Sequence, residues 1–214
     1  MPAIFQVLSL NSEALEAVKG LNETLAFGSS TLTRVQEEAI ATVVAVANQC
    51  RYGALTHGGF LRRHSGDSSL ASQLLSDHTQ AGLSSKDLRM LDFALKVTVE
   101  PASLTEEDLE GLRTEGFLDQ EIFSIVLITC LFNFMNRVAS SLEAEIPGNF
   151  QRVVENWLTG PATEQAWLLY RGGRAAQRTL GSSQGPGARS TGYNRAPQAR
   201  EFPQPAGHRF GSQT

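Results

Sequence analysis

Three reactive side chains fall close together in the sequence: Glu38, Cys50 and His57. Glu38 precedes Cys50 by twelve residues, and His57 follows Cys50 by seven. A thiolate nucleophile, a proton shuttle and a carboxylate that orients the shuttle are the groups that peroxide reduction or acyl transfer requires. The spacing therefore indicates a candidate catalytic set. The alternative is that the cysteine packs in the core and the histidine is an ordinary hydrogen-bonded residue.

Two helices are predicted to position this set. Residues 33–36 have the pattern of a capping box, which begins a helix that runs to about residue 48. A second helix is predicted from about 52 to 63. Cys50 would then lie where one helix ends and the next begins, where unpaired backbone N–H groups favour a thiolate over a thiol. His57 would lie two turns further on, and Glu38 would project towards it from the preceding helix.

The sequence predicts neither a metal site nor a cofactor. The four histidines have no ligand spacing among them, and neither a phosphate-binding loop nor a haem attachment motif occurs. Any peroxide chemistry is therefore expected to be thiol-based. The histidines are His57, His64, His78 and His208.

Helical spacing of apolar residues, with no alternating strand pattern, predicts an all-α fold. Further helices are expected to begin at or near Asn11, Asp67, Ser84, Thr105 and Asp119. The helix that Asp119 caps is expected to be the longest and most apolar, at roughly 120–142. Two short helical pieces are expected near 149–158 and 162–170.

Charge and composition divide the chain into a body and a tail. Residues 171–214 hold 7 of the 18 Lys and Arg residues, 1 of the 22 Asp and Glu residues, and 8 of the 19 glycines. Such a segment cannot bury enough apolar surface to offset its chain entropy. The sequence therefore predicts a helical domain at 1–160 and a disordered basic tail, rich in Gly, Pro and Arg, at 171–214. The tail is expected to be solvated and not to bind nucleic acid, although aromatic residues lie among its arginines.

The sequence favours a cytoplasmic protein. Two cysteines cannot form a disulfide scaffold, and no secretory leader is recognisable at the start. The longest apolar stretch, 122–134, is shorter than a membrane span needs and is interrupted by polar residues, which is typical of a buried core helix. No membrane association is expected.

Three ordered blocks, at 32–63, 90–98 and 132–139, resemble the AhpD-like alkylhydroperoxidases. These belong to the carboxymuconolactone decarboxylase-like superfamily, and the peroxidase-related branch is the most similar. The family motif places a Glu twelve residues before a Cys-x-x-Cys pair, with a His four residues after the pair. Glu38, Cys50 and His57 occupy the matching positions.

The resemblance implies a thiol-dependent peroxidase-like oxidoreductase, with Cys50 as the redox thiol, His57 as the proton shuttle and Glu38 as the carboxylate that orients His57. Its implied partners are a hydroperoxide substrate and an external thiol or dithiol reductant. However, Gly53 stands where the family has the second cysteine of the pair, to which the attack on peroxide is generally assigned. The local disulfide cycle therefore cannot close, and activity is expected to be impaired. Cys130, the other cysteine, is expected to be a small buried core residue.

Two alternative functions remain open. One is an oligomeric binding or scaffold member of the family without catalysis, and the other is a non-redox, decarboxylase-like enzyme that uses only His57 and Glu38. In each case a homo-oligomer is expected. The very apolar helices at 34–48 and 120–140 carry more apolar surface than a monomer readily covers, and members of the superfamily commonly pack such helices between subunits.

Overall fold

The computed structural model describes residues 2–26 and 30–169 of the chain. Within these residues the regular structure is entirely helical, with α-helices and short 3-10 helices and no strand, which confirms the predicted all-α fold. The predicted tail at 171–214 lies outside the described residues. The described residues belong to a single compact unit.

Ten α-helices and three 3-10 helices occur in the described part of the chain. The α-helices are α1 Ala3–Val7, α2 Ser12–Leu25, α3 Arg34–Ala47, α4 Arg51–Ser65, α5 Ser68–Ser76, α6 Ser85–Val99, α7 Glu106–Thr114, α8 Asp119–Ser141, α9 Gly148–Glu155 and α10 Ala166–Leu169. The 3-10 helices are His78–Gln80, Pro101–Ser103 and Gly160–Glu164.

Capping side chains begin most of the longer helices where the sequence predicted. Thr33 and Gln36 form a capping box at the start of α3. The side chains of Asp67 and Ser84 accept backbone N–H groups at the starts of α5 and α6. The start of α8 differs slightly, because Asp119 is its first residue and Glu121 accepts the backbone N–H of Leu118.

Helix α3 is the centre of the fold. Nine consecutive residues, Glu37–Ala45, are buried, and the helix packs against α4, α5, α6 and α8. The almost continuous apolar sequence from 39 to 45 explains this position, because a helix that is apolar all round is stable only when neighbours cover it on several sides. Most of the functional side chains described below lie on α3, on its hairpin partner α4 or on α8.

A tight turn joins α3 to α4 and places Cys50. Gln49 adopts a positive φ of 50°, in the left-handed region that few non-glycine residues adopt. The backbone N–H of Cys50 donates to the carbonyl of Ala45 at 2.9 Å and closes the turn. Helix α4 then runs back beside α3, and its other end is capped by Gly66 in the left-handed conformation, with φ 72°.

Helix α8, Asp119–Ser141, lies close to the predicted range of 120–142. Its 23 residues are long and apolar enough, by length and composition, to cross a membrane, but half of its most apolar window is buried inside this fold. Core helices of soluble proteins share this property, so the helix is weak evidence for a membrane span. Beyond α9, Ala162 and Leu168 are also fully buried, so packed residues continue past 160.

Candidate active site

Glu38 is a fully buried carboxylate on α3 that contacts an imidazole and a guanidinium. Its Oε2 atom lies 2.8 Å from Nδ1 of His57, and its Oε1 atom lies 2.5 Å from Nη2 of Arg34. A carboxylate that is 0% exposed is stable in a folded protein only when such partners compensate its charge. Arg34 and Glu38 are four residues apart on one helix, so the helix itself sets their contact.

A second buried carboxylate, Glu37, extends the charge cluster. Its Oε2 atom lies 3.6 Å from Nη1 of Arg34, and its Oε1 atom accepts a hydrogen bond of 2.6 Å from the Ser30 hydroxyl. One guanidinium thus contacts two buried carboxylates. Arg34 therefore compensates part of the charge of both carboxylates.

His57 lies on α4, with its Nδ1 edge directed at Glu38. The Glu38 carboxylate accepts the Nδ1 proton, and this hydrogen bond fixes the orientation of the ring. Two aromatic rings pack edge-on against the imidazole: Phe132 with a centroid separation of 4.5 Å, and Phe60 at 6.0 Å. The side chain is 13% exposed, so the ring is largely shielded from bulk water.

Cys50 is the N-cap residue of α4. Its Sγ atom accepts the backbone N–H of Gly53 at 3.4 Å, as expected for a thiol at a helix start. The residue is only 1% exposed. The sequence placed Cys50, His57 and Glu38 on the facing helices of a hairpin. The structure shows this arrangement, with a direct contact between Glu38 and His57.

A mostly apolar cavity of about 270 Å³ lies beside His57. Phe60, Phe132 and Met135 supply apolar wall, and His57 is among its polar groups. Gly53 also lines the cavity, whereas Cys50 is not among the described residues that form its wall. His57 therefore lines the cavity, and the Cys50 thiol does not belong to the described wall.

The neighbours of Gly53 leave no room for a side chain at this position. A Cβ atom at this position would lie 2.3 Å from Oδ1 of Asn136 on α8 and 2.9 Å from Cβ of Ala45 on α3. Real Cβ atoms essentially never approach other atoms so closely. The Asn136 amide thus fills the space that a side chain at position 53 would need, where the resemblance implies a second cysteine, and three helices meet there.

Tyr52 and Thr56 form another part of the wall, one turn apart on α4. The Tyr52 hydroxyl accepts a hydrogen bond of 3.4 Å from the backbone N–H of Ile4 in α1. Burial raises the pKa of Tyr52 above its usual value, so the hydroxyl stays neutral at physiological pH. Both residues also line an adjoining, more open groove of about 820 Å³.

The prediction that Cys130 is a buried core residue is wrong. The residue is exposed on α8, and both cysteines are free thiols. Because α8 is apolar on nearly all sides, its sequence does not show which face turns outwards. The structure turns the face with Cys130, Phe123 and Phe134 away from the core.

Three residues of the site were not singled out as functional from the sequence: Arg34, Tyr52 and Asn136. The four-residue spacing of Arg34 and Glu38 was a usable signal, because opposite charges at that spacing meet on a helix. Asn136 gave a weaker signal as a polar residue in the interior of a very apolar helix. Tyr52 gave none beyond its position two residues after Cys50.

The fold is similar to those of several solved structures. An uncharacterized peroxidase-related protein from a Silicibacter species is 35% identical, with a TM-score of 0.67, and the match covers 69% of this chain and 77% of that chain. An alkylhydroperoxidase AhpD core protein from Ralstonia eutropha, also peroxidase-related, is 30% identical, with a TM-score of 0.67 and coverage of 70% and 79%.

A more distant similarity extends to the debrominase Bmp8. A structure of that protein in complex with 2,3,4-tribromopyrrole is 16% identical to this chain, with a TM-score of 0.62, and the match covers 73% of this chain and 83% of that one. At this identity the likeness shows a common fold only. No protein-family model and no functionally curated protein sequence matches the chain.

Proposed function

Because this chain belongs to the AhpD-like, peroxidase-related proteins, we propose that it is a thiol-dependent oxidoreductase that reduces hydroperoxides. The observation that carries the proposal is the composition of α4. This helix begins with a thiol that accepts a backbone N–H group and presents, two turns later, an imidazole held by a buried carboxylate at 2.8 Å. A nucleophile, a proton shuttle and an orienting group are thus supplied by two adjacent helices.

The oxidative half of the reaction uses Cys50 and His57. His57 takes the Cys50 proton, and the thiolate attacks the terminal oxygen of the hydroperoxide. The O–O bond breaks, the new S–O bond forms, and the leaving alkoxide takes the proton back from His57. The products are an alcohol and a Cys50 sulfenic acid, so the substrate is reduced by two electrons and the sulfur is oxidised by two.

The reductive half requires a thiol from outside the chain. An external thiol attacks the sulfenic sulfur, forming a mixed disulfide and releasing water. A second external thiol, or the second thiol of a dithiol, then attacks the external sulfur of the mixed disulfide. Cys50 is released as a thiolate, and the two external sulfurs are joined in a disulfide. Gly53 offers no second thiol for this step, and Cys130 is exposed on the outer face of α8.

Glu38 and Arg34 act through His57 as positioning residues. Glu38 holds the imidazole by Nδ1 and stabilises the imidazolium that forms when His57 accepts a proton. Arg34 holds Glu38 at its other oxygen. Because Cys50 is 1% exposed, a hydroperoxide in the cavity reaches Sγ only after local displacement of side chains, which favours a slow enzyme.

The test is hydroperoxide consumption with dithiothreitol as the dithiol reductant. We expect Cys50→Ser to reduce the rate to the uncatalysed background. Cys130→Ser is the matched control, because it removes the other cysteine of the chain from an exposed position. It is expected to keep the wild-type rate. Equal rates for the wild type and Cys50→Ser would refute the proposal.

A second candidate is a non-redox enzyme of the same superfamily, with His57 as acid and base. It is favoured by one observation: His57 lines the cavity, whereas Cys50 is not part of the wall among the described residues. Decarboxylation of a lactone that persists in Cys50→Ser and disappears in His57→Asn would support it. If neither activity occurs in the wild type, the chain is a binding or scaffold member of the family.

A further inference from the structure

One residue in the wall of the cavity beside His57 has a side-chain donor without a hydrogen-bond partner among the described residues. Asn136 is 3% exposed and lines the cavity. Its Nδ2 atom is buried and has no hydrogen-bond partner among the described residues. Because an unpaired buried donor is costly to a folded protein, a ligand that accepts a hydrogen bond from this atom recovers part of that cost on binding.

A second donor lies in the same wall. The Tyr52 hydroxyl already accepts the Ile4 N–H, so its own proton is available for donation. Burial raises the pKa of Tyr52, which keeps this proton in place at physiological pH. Both Asn136 and Tyr52 therefore favour a ligand with an oxygen acceptor.

The charges near the cavity favour a neutral ligand over an anion. Arg34 lines the cavity, but its guanidinium already contacts the buried carboxylates of Glu37 and Glu38. A third carboxylate in this low-dielectric region would be repelled by the first two. The acceptor is therefore expected to be a carbonyl oxygen without a formal charge.

The size and lining of the cavity restrict the body of the ligand. A dry, apolar cavity of about 150 Å³ is sufficient to bind benzene. At about 270 Å³ the present cavity has room for one ring with a small substituent. The rings of Phe60 and Phe132 in its wall are suited to edge-on packing against another ring.

We propose that this cavity binds a neutral carbonyl compound with one apolar ring, whose carbonyl oxygen accepts a hydrogen bond from Nδ2 of Asn136. The absence of a side chain at position 53 leaves room for this amide, because a Cβ atom there would lie 2.3 Å from its Oδ1 atom. The binding needs no redox step. It therefore goes beyond the proposed function and is tested separately from it.

Three probes distinguish the effect of the hydrogen-bond acceptor from the effect of its charge: acetophenone, cumene and benzoate. They have the same number of heavy atoms and nearly the same outline. Acetophenone carries a neutral acceptor, cumene carries none, and benzoate carries a charged one. Affinities are measured by NMR titration of the full chain with reduced thiols and without hydroperoxide. We expect acetophenone to bind about tenfold more tightly than cumene, which is the effect of one hydrogen bond, and benzoate to bind more weakly than acetophenone.

Asn136→Leu removes the donor while keeping a side chain of similar size. We expect acetophenone and cumene to bind this variant within about twofold of each other, because the hydrogen bond is lost and the apolar packing remains. Asn133→Leu is the matched control. It is the same substitution on the same helix, but Asn133 bonds to Asn48 and Thr98 and is not part of the cavity wall, so the preference for acetophenone should persist.

Several outcomes would overturn the proposal. They are equal binding of acetophenone and cumene to the wild type, tighter binding of benzoate, or a preference for acetophenone that survives in Asn136→Leu. The comparison of the three probes on the wild type needs no variant, so it decides the matter even if Asn136→Leu does not fold. A failed peroxide assay would leave these affinities unchanged, so the two proposals fail independently.

Discussion

At the scale of single residues, Gly53 is held to glycine by its surroundings. It lies inside α4 with ordinary helical torsion angles, where alanine would normally be the more stable residue. The obstacle is steric, because Asn136 and Ala45 occupy the space around a Cβ atom at this position. A substitution at position 53 is therefore expected to alter the packing where α3, α4 and α8 meet.

We expect Gly53→Ala to lower the free energy of unfolding by about 1–3 kcal/mol, the usual cost of overpacking. Gly20→Ala is the matched control, because Gly20 lies in α2 and a Cβ atom there meets nothing within 4 Å. That variant should gain about 0.5–1 kcal/mol from helix propensity. Urea unfolding of both variants checks the prediction, which fails if Gly53→Ala is as stable as the wild type.

The same collision bears on the attempt to restore a Cys-x-x-Cys pair. We expect Gly53→Cys alone to be destabilised, and Gly53→Cys with Asn136→Ala to be less destabilised than the sum of the two single changes. The reason is that removal of the Asn136 amide relieves the shorter of the two contacts. A double-mutant cycle of urea unfolding energies measures this coupling. Additive energies would show that the Asn136 amide is not the obstacle.

The individual residues of the site were predictable to different degrees. The spacing of Glu38, Cys50 and His57 was sufficient to place them on a helical hairpin. The role of Asn136 was not accessible, because it depends on how closely α8 approaches position 53. That approach is a three-dimensional packing distance, and local sequence does not encode it.

At the scale of elements, a partly exposed ion pair connects α6 to the start of α7. Nζ of Lys96 lies 2.8 Å and 2.7 Å from the two carboxylate oxygens of Asp108, which also accepts the backbone N–H of Thr105. The hydrogen bond from Lys96, followed by that from Thr105, lowers the pKa of Asp108 below its usual value. The charged form of this carboxylate is thus favoured by the folded state.

We expect Asp108→Asn to destabilise the protein at neutral pH and to have progressively less effect in acid. A carboxyl whose pKa is lower in the folded state contributes stability above its unfolded pKa, near 3.8, and loses that contribution as the pH falls through the folded value. Lys96→Gln should show the same pH dependence. Urea unfolding at pH 7 and pH 2.5 measures both, and a destabilisation that is independent of pH would contradict the assignment.

The helices were largely predictable because their ends carry local signals. Thr33, Asp67 and Ser84 cap helices as predicted, since capping depends on a few adjacent residues. Helix α1 was missed, because five residues give no periodic pattern and such a short helix depends on packing.

At the scale of the whole molecule, α8 leaves an apolar face uncovered. Phe123 is 63% exposed and Phe134 is 44% exposed, with Cys130 between them on the same side of the helix. Exposed apolar patches of this kind mark contact surfaces in soluble proteins. The homo-oligomer expected from the sequence would cover this face with a second copy of the chain.

We expect the wild type to be an oligomer in light scattering after gel filtration, and Phe123→Glu to shift it towards the monomer. A buried charge at an apolar contact is costly, whereas the same charge in water is not. Leu10→Glu is the matched control, because Leu10 is 97% exposed and lies in the turn before α2. A monomeric wild type, or dissociation by Leu10→Glu as well, would exclude this contact.

The overall fold was predictable from helical periodicity, and the outward face of α8 was not. A helix that is apolar on most sides has a weak amphipathic pattern. The sequence therefore does not show whether Cys130 is buried or exposed. Only the packing of α3, α4 and α6 decides which side of α8 becomes the core.

The order in which a ribosome makes the chain bears on the cavity beside His57. Ile4 and Phe5 in α1 form part of its wall, and Met135 and Ala139 near the end of α8 form another part. Helix α1 is therefore synthesised well before its packing partners on α8. Since α1 is too short to hold a helix alone, the hydrogen bond from Ile4 to Tyr52 forms only once α4 is in place. The wall of the cavity can therefore be completed only after α8 has been synthesised.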